Sequence, residues 1–169
     1  MAIKTLEEKF IHGLGDIYDA EHRFLEAQQT MLPNASSSTV QAALKKHIAE
    51  TEQQIVNLTK VHEVLGLTAK RVACDAAKGL VSEGDKLLKE TKDVPALADL
   101  AIVGSCSKVE HYEIASYRGL IAGAEQMGQT DVARLLSENL QQEENTAQTL
   151  ESSMPTLLKQ AMQTASKTA

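Results

Sequence analysis

Two glutamates one helical turn apart, Glu110 and Glu113 in the run Val109-Glu110-His111-Tyr112-Glu113-Ile114, are the residues of this chain best placed to do chemistry together. On an α-helix three residues span about 300°, so both carboxylates project from one face. Heptad spacing puts Val103, Cys106, Glu110, Glu113, Tyr117, Leu120 and Ala124 on that face, an apolar stripe with two acids at its middle. Buried carboxylates repel each other and cost several kcal/mol each in lost hydration unless paired, protonated or bound to a metal. What stands opposite them therefore decides what the pair does.

Three other segments interrupt their apolar stripes in the same way. The first, from about Thr5 to Met31, reads Phe10, Leu14, Ile17, Glu21, Phe24, Gln28 and Met31. The second, from about Thr39 to Leu65 and closed by Gly66, reads Val40, Leu44, His47, Glu50, Gln54, Leu58, Val61 and Leu65. The last, from Thr130 or Asp131 to about Ser153, reads Val132, Leu136, Leu140, Glu143, Ala147, Leu150 and Met154. Taken singly, each has a bland explanation: a boundary glutamate reaching solvent, or a core histidine with its nitrogens satisfied.

Level makes them a set. In an antiparallel helical hairpin, residues equally far from the turn face each other. Glu21 and Glu50 have their midpoint between Ala35 and Ser36, inside the turn Pro33-Asn34-Ala35-Ser36-Ser37-Ser38. Glu113 and Glu143 centre on Gly128, inside the second turn, and Glu110 with Glu143 centre just before it. Two such hairpins in a four-helix bundle bring Glu21, Glu50, Glu110, Glu113 and Glu143 to one mid-bundle point. Carboxylates so gathered cannot all ionise without counter-charge, and two divalent cations would neutralise most of it. Hard carboxylate ligands suit iron or manganese, with zinc as a further option.

The connecting segments agree with this plan. Leu67–Val94 is a crossover with one expected helix within Arg71–Lys89, weakened by Gly79 and Gly84, in which Cys74 packs as a small apolar residue. Asp93 is placed to cap the third helix, Pro95 to Gln126. Pro155 is expected to break or kink the last helix, with Ser166–Ala169 fraying.

Composition narrows the function classes. The 169 residues fit one domain, rich in helix formers, with no Trp and an aromatic fraction of 3%, which reads as all-α. A net charge of −6 with no long Lys/Arg cluster argues against nucleic-acid binding. The longest apolar stretch, around Ala96–Val103, contains Asp99 and is far too short to span a bilayer. Cys74 and Cys106 form no disulfide framework, and no signal-peptide core is present, so a reducing cytoplasmic setting is expected. Leu25, Ile55 and Ile121 remain outside the stripes and suggest a homodimer.

From about Thr5 to Leu158 the chain resembles the YciF-type stress proteins, a branch of the ferritin-like superfamily. The resemblance is carried by Asp16-Ile17-Tyr18-Asp19-Ala20-Glu21, His47-Ile48-Ala49-Glu50-Thr51 with Gln54, Cys74 through Gly79-Leu80, and Val109-Glu110-His111-Tyr112-Glu113-Ile114-Ala115. It implies a ferritin-like four-helix bundle with a helix in the crossover. It also implies a dimetal-carboxylate centre, di-iron foremost, that handles iron, oxygen or peroxide under stress. Ferritin-like centres draw single glutamates from two helices and Glu-x-x-His from the other two. By that correspondence Glu21, Glu50 and Glu143 match single ligands, and Glu110-x-x-Glu113 is similar to the double glutamate of rubrerythrins.

The histidines depart from the pattern. Gln53 stands three residues after Glu50, and Thr146 and Ala147 stand where a fourth-helix histidine would be. His47, one turn before Glu50, substitutes as the nitrogen ligand, with Gln54 as a weak ligand or a hydrogen-bond partner of one. Tyr18 and Tyr117 hydrogen-bond the carboxylates, carry an electron or pack in the core, while His111 lies about 100° off the glutamate face. The poverty of histidine keeps a second reading open, a non-catalytic bundle that acts through assembly or a protein partner.

Overall fold

The computed structural model describes residues 2–165. Its helices are α1 (Leu6–Met31), α2 (Ser38–Val64), α3 (Asp75–Thr91), α4 (Pro95–Gln126) and α5 (Thr130–Ala165), with a single 3₁₀ turn at Leu32–Asn34 and no strand among the described residues. Helices α1, α2, α4 and α5 form a four-helix bundle, and the crossover helix α3 packs on α1 and α4.

Helices α2 and α4 end alike. Gly66 and Gly128 adopt φ of 69° and 71°, the left-handed conformation that glycine takes without steric cost. Leu67 N then reaches His62 O at 2.8 Å and Gln129 N reaches Ala124 O at 2.9 Å, closing two Schellman caps. At the start of α1, Thr5 Oγ1 accepts Glu8 N at 3.0 Å.

Other boundaries are set by distant residues. Ser37, the N-cap residue of α2, offers no side-chain cap. The Asp99 carboxylate on α4 instead accepts Ser36 N at 2.8 Å, Ser36 Oγ at 2.5 Å and Ser37 N at 3.0 Å. A carboxylate is the stronger acceptor, and it ties the two hairpins together. Helix α3 starts at Asp75 rather than Arg71, because Asp19 on α1 holds Arg71 Nε at 2.8 Å and Cys74 N at 2.9 Å. Cys74 does more than fill space: its Sγ accepts Ala77 N at 3.3 Å as the helix cap. The same segment lies so close on α1 that a Cβ at Gly15 would meet Val72 Cγ2 at 2.7 Å.

Asp93 does not cap α4, whose N-cap is Val94 without a side-chain bond. Nor does Pro155 end α5, which continues to Ala165. Loss of one helical hydrogen bond there is offset by burying Leu157 in the cluster that holds Met31 and Leu88. The expected fraying of Ser166–Ala169 lies outside the described residues.

The apolar core is divided in two. One cluster, with Phe10, Leu14, Ile17, Leu58, Val61 and Leu136, fills the end near Gly66 and Gly128. The other, with Met31, Val40, Leu44, Ile102, Val103 and Leu150, fills the opposite end. The stripe acids lie between them, shielded from solvent by both. The stripes expected on α1 and α4 are buried throughout, whereas α2 buries Thr51 in place of Glu50 and α5 buries Asn139 more deeply than Leu140. No described helix is long and apolar enough to cross a membrane. Leu25, Ile55 and Ile121 are each half-buried within the single chain.

Candidate metal centre

His47 on α2, Glu110 and Glu113 on α4 and Glu143 on α5 each offer one ligand atom, and these atoms lie within 4.8 Å of one another. All four side chains are buried. Glu21, with no solvent exposure, adds a carboxylate from α1, tied by the Tyr117 hydroxyl to the face of α4 that carries Glu113. Four helices thus each contribute to one buried point.

These groups converge without satisfying each other. His47 Nε2 stands 2.8 Å from Glu110 Oε1, yet neither atom makes an aligned hydrogen bond. Both nitrogens of His47, both oxygens of Glu110 and of Glu113, Glu21 Oε2, Glu143 Oε2 and Gln54 Oε1 are buried with no hydrogen-bond partner. Native interiors leave few polar atoms in that condition, so a concentration of them in one layer calls for an explanation such as an ion. One imidazole with several carboxylate oxygens is a donor set that suits iron, manganese or zinc.

Neighbouring side chains orient part of the set. Gln54 Nε2 donates to Glu143 Oε1, and the Tyr117 hydroxyl donates to Glu21 Oε1. Asn139 Nδ2 donates to the Tyr117 hydroxyl at 3.0 Å, and Asn57 Nδ2 donates to Asn139 Oδ1 at 2.8 Å. Of the two tyrosines considered, Tyr117 alone touches the cluster. Tyr18 instead meets Thr59 Oγ1 at 3.3 Å and packs against His22 and His62.

Burial is the largest influence on the acids. It pushes Glu21 up to about 8, with the Glu143 charge adding and the Tyr117 hydrogen bond opposing. Burial likewise raises Glu110 to about 7 and drives Glu113 and Glu143 well above the carboxylate range. Without a cation, burial favours the protonated form of these acids.

Glu50 stands apart from the set of mutually adjacent ligand atoms. Its carboxylate pairs with Lys46 Nζ at 2.8 Å and accepts Thr146 Oγ1 at 3.3 Å, at the solvent-facing rim. Regular alternation of three and four residues from His47 reaches Thr51 and then Gln54, which turns Glu50 about 100° off the buried line. The same alternation runs from Leu136 to Asn139 to Glu143. It is the signal by which Asn139, masked by the more apolar Leu140, is legible in sequence.

Two further residues fall where expected. His111 is exposed and pairs with Glu151 at 2.8 Å. Cys106 is buried beside Glu110, its thiol pushed up to about 12 by burial and then by that neighbour's charge. It lines a cavity of about 20 Å³ with His47 and Glu110. Both cysteines are free thiols.

Known proteins share this helical fold. The family model described as Domain of unknown function (DUF892) matches residues 5–163. Protein YciF of Escherichia coli (strain K12) is 37% identical over 147 residues, covering 86% of this chain and 88% of its own. The crystal structure of that stress protein superposes with a TM-score of 0.87 at 35% identity, over 93% of this chain and 99% of the other. A protein of Rhodopseudomonas palustris named YcfI superposes with a TM-score of 0.84 at 39% identity, over 88% and 94% of the two chains. From the family match over nearly its whole length and its identity to YciF, the chain belongs to the DUF892 family, the YciF-type stress proteins that its motifs resemble.

Proposed function

We propose that this protein is a metal-carboxylate protein whose buried layer holds two divalent ions, iron foremost, and that it handles iron, oxygen or peroxide under stress. The observation that carries the reading is the convergence of unpartnered donor atoms from His47, Glu21, Glu110, Glu113 and Glu143 on one dry point. Bound iron would supply one-electron chemistry there. The chain's own residues supply charge, orientation and exclusion of water. Gln54 holds Glu143 and Tyr117 holds Glu21, so these two carboxylates are the fixed arms. Glu110 and Glu113 have no such restraint and are free to alter their denticity. Glu50 could join from the rim only by releasing Lys46.

Metal stoichiometry and the rate of ferrous oxidation in two variants test the reading. Glu110→Ala removes the acid beside His47 and is expected to lower metal content. Glu113→Ala is expected to keep metal but slow oxidation. Wild-type protein that never takes up two metals, or variants that both keep two metals at wild-type rates, would sink it.

A second reading is supported by the single histidine of the cluster and by the description of the Rhodopseudomonas relative as a candidate structural protein. In it the layer only holds the fold. An optical spectrum of iron-loaded protein that stays unchanged under oxygen and under peroxide would favour it.

A further inference from the structure

We propose that Asn139 is a positioning residue: through Tyr117 it dictates which oxygen Glu21 presents to the centre. Two of its contacts leave no freedom in its orientation. The backbone carbonyl of Gln54 can only accept, and Asn139 Nδ2 lies 3.3 Å from it. The nitrogen of the amide, not its oxygen, must therefore face α2 and the Tyr117 hydroxyl, 3.0 Å away. At its other end, Asn139 Oδ1 is occupied by Asn57 Nδ2 at 2.8 Å, and Asn57 Oδ1 accepts Gln53 Nε2 at 3.1 Å. This amide chain runs from exposed Gln53 into the core, where Asn139 has no solvent exposure.

The consequence falls on Tyr117. Its oxygen receives the Asn139 amide, so its single proton is directed to Glu21 Oε1. Glu21 is thereby tied by one oxygen, while Oε2, buried and unpartnered, is the atom it offers to a cation. A backbone carbonyl on α2 thus sets the geometry of a carboxylate on α1 through side chains of α5 and α4. The direction of the hydrogen bonds stands on its own, and its effect on metal binding rests on the metal-centre reading above.

Two measurements test this. In metal-free protein carrying ¹³C at the tyrosine ring Cζ, Asn139→Leu, or Asn139→Ser should the bulkier change prevent folding, is expected to shift the Tyr117 resonance and leave Tyr18 and Tyr112 in place. An unmoved Tyr117 resonance overturns the proposal whether or not the protein binds metal. In the second, affinity for zinc, which is redox-silent, is measured in a double-mutant cycle. Asn139→Leu is expected to lower affinity roughly tenfold in the wild-type background, within the 10–100-fold range usual for partners of metal ligands, and to have no further effect in Tyr117→Phe. Equal losses in both backgrounds would make Asn139 a packing residue only and overturn the positioning role. Wild-type protein that fails to bind zinc, iron or manganese counts against the metal-centre reading and, with it, the metal-binding half of this proposal; the tyrosine shift then decides the remaining half.

Discussion

Two buried acidic regions of this molecule resemble each other in composition and differ in almost everything else. Asp19 on α1 is buried too, though nearer the surface than the mid-bundle glutamates, and both its oxygens are occupied, by Arg23 Nε at 2.5 Å, Arg71 Nε at 2.8 Å and Cys74 N at 2.9 Å. Burial by itself would raise its pKa; the hydrogen bonds from Arg23, Cys74 and Arg71 outweigh that and hold it at about 2. The layer of Glu21, Glu110, Glu113 and Glu143 has no arginine or lysine among its ligand-forming partners, and its acids move upward. Burial alone therefore says nothing about function. An acid whose oxygens are all occupied is holding the chain together, whereas acids with orphaned oxygens are kept for something else.

Metal addition should separate the two regions most. A cation that binds only the native state at a hundredfold excess over its Kd adds about 2.7 kcal/mol, which for a chain of this size raises Tm by roughly 5–10 °C. The rise should vanish with a chelator and survive Asp19→Asn. No rise with iron, manganese or zinc would place both regions in the structural class.

The same chemical change should then have opposite signs in the two places. Asp19→Asn strands the Arg71, Arg23 and Cys74 donors and is expected to cost about 1–3 kcal/mol without altering metal content. Glu113→Gln removes an uncompensated buried acid and is expected to stabilise the metal-free protein at pH 8 by about 1–3 kcal/mol. Urea midpoints of both variants decide it, and two losses of equal size would erase the distinction.

The pH dependence of the metal-free protein carries the same contrast. Glu21 and Glu110 release protons near their ordinary 4.5 when unfolded but near about 8 and about 7 when folded. Between those values the unfolded chain binds fewer protons, so stability falls as pH rises from about 4.5 to about 8. Asp19 acts in the opposite sense: its contribution is complete above its ordinary 3.8 and is lost as pH falls through about 2. Tm measured from pH 3 to 9 should show the alkaline decline without metal and a flattened one with it. A metal-free Tm that climbs steadily to pH 8 would mean the layer is ionised and paired.

The smallest effect belongs to a surface acid. Glu83 pairs with Lys108 at 2.8 Å with both side chains more than half exposed. Glu83→Ala should change stability by less than about 1 kcal/mol and leave metal content alone. A larger loss would blur the contrast between buried and exposed acids.

How much of this was written in the sequence depends on how each feature is encoded. Periodicity by itself determined the four bundle helices, their pairing into two hairpins and the buried faces of α1 and α4. A stripe of Phe10, Leu14, Ile17, Phe24 and Met31 can be buried in just one orientation, so Glu21 is carried inward with it. Level relative to the turns then matched Glu21 with Glu50 in one hairpin and Glu110 and Glu113 with Glu143 in the other. On α2 and α5 the pattern was ambiguous, because a polar residue at the stripe's edge is displaced by about 100° from its neighbour and apolarity cannot choose between them. The packing of α5 against α2 decided for Thr51 over Glu50 and for Asn139 beside Leu140, and so determined which amides support Tyr117. Asp99 as the cap of α2, Asp19 as the anchor of Arg71 and Cys74, and the passage of α5 through Pro155 were likewise decided in three dimensions. Their partners stand far away in the chain, or their compensation comes from packing, and no local window of residues contains either.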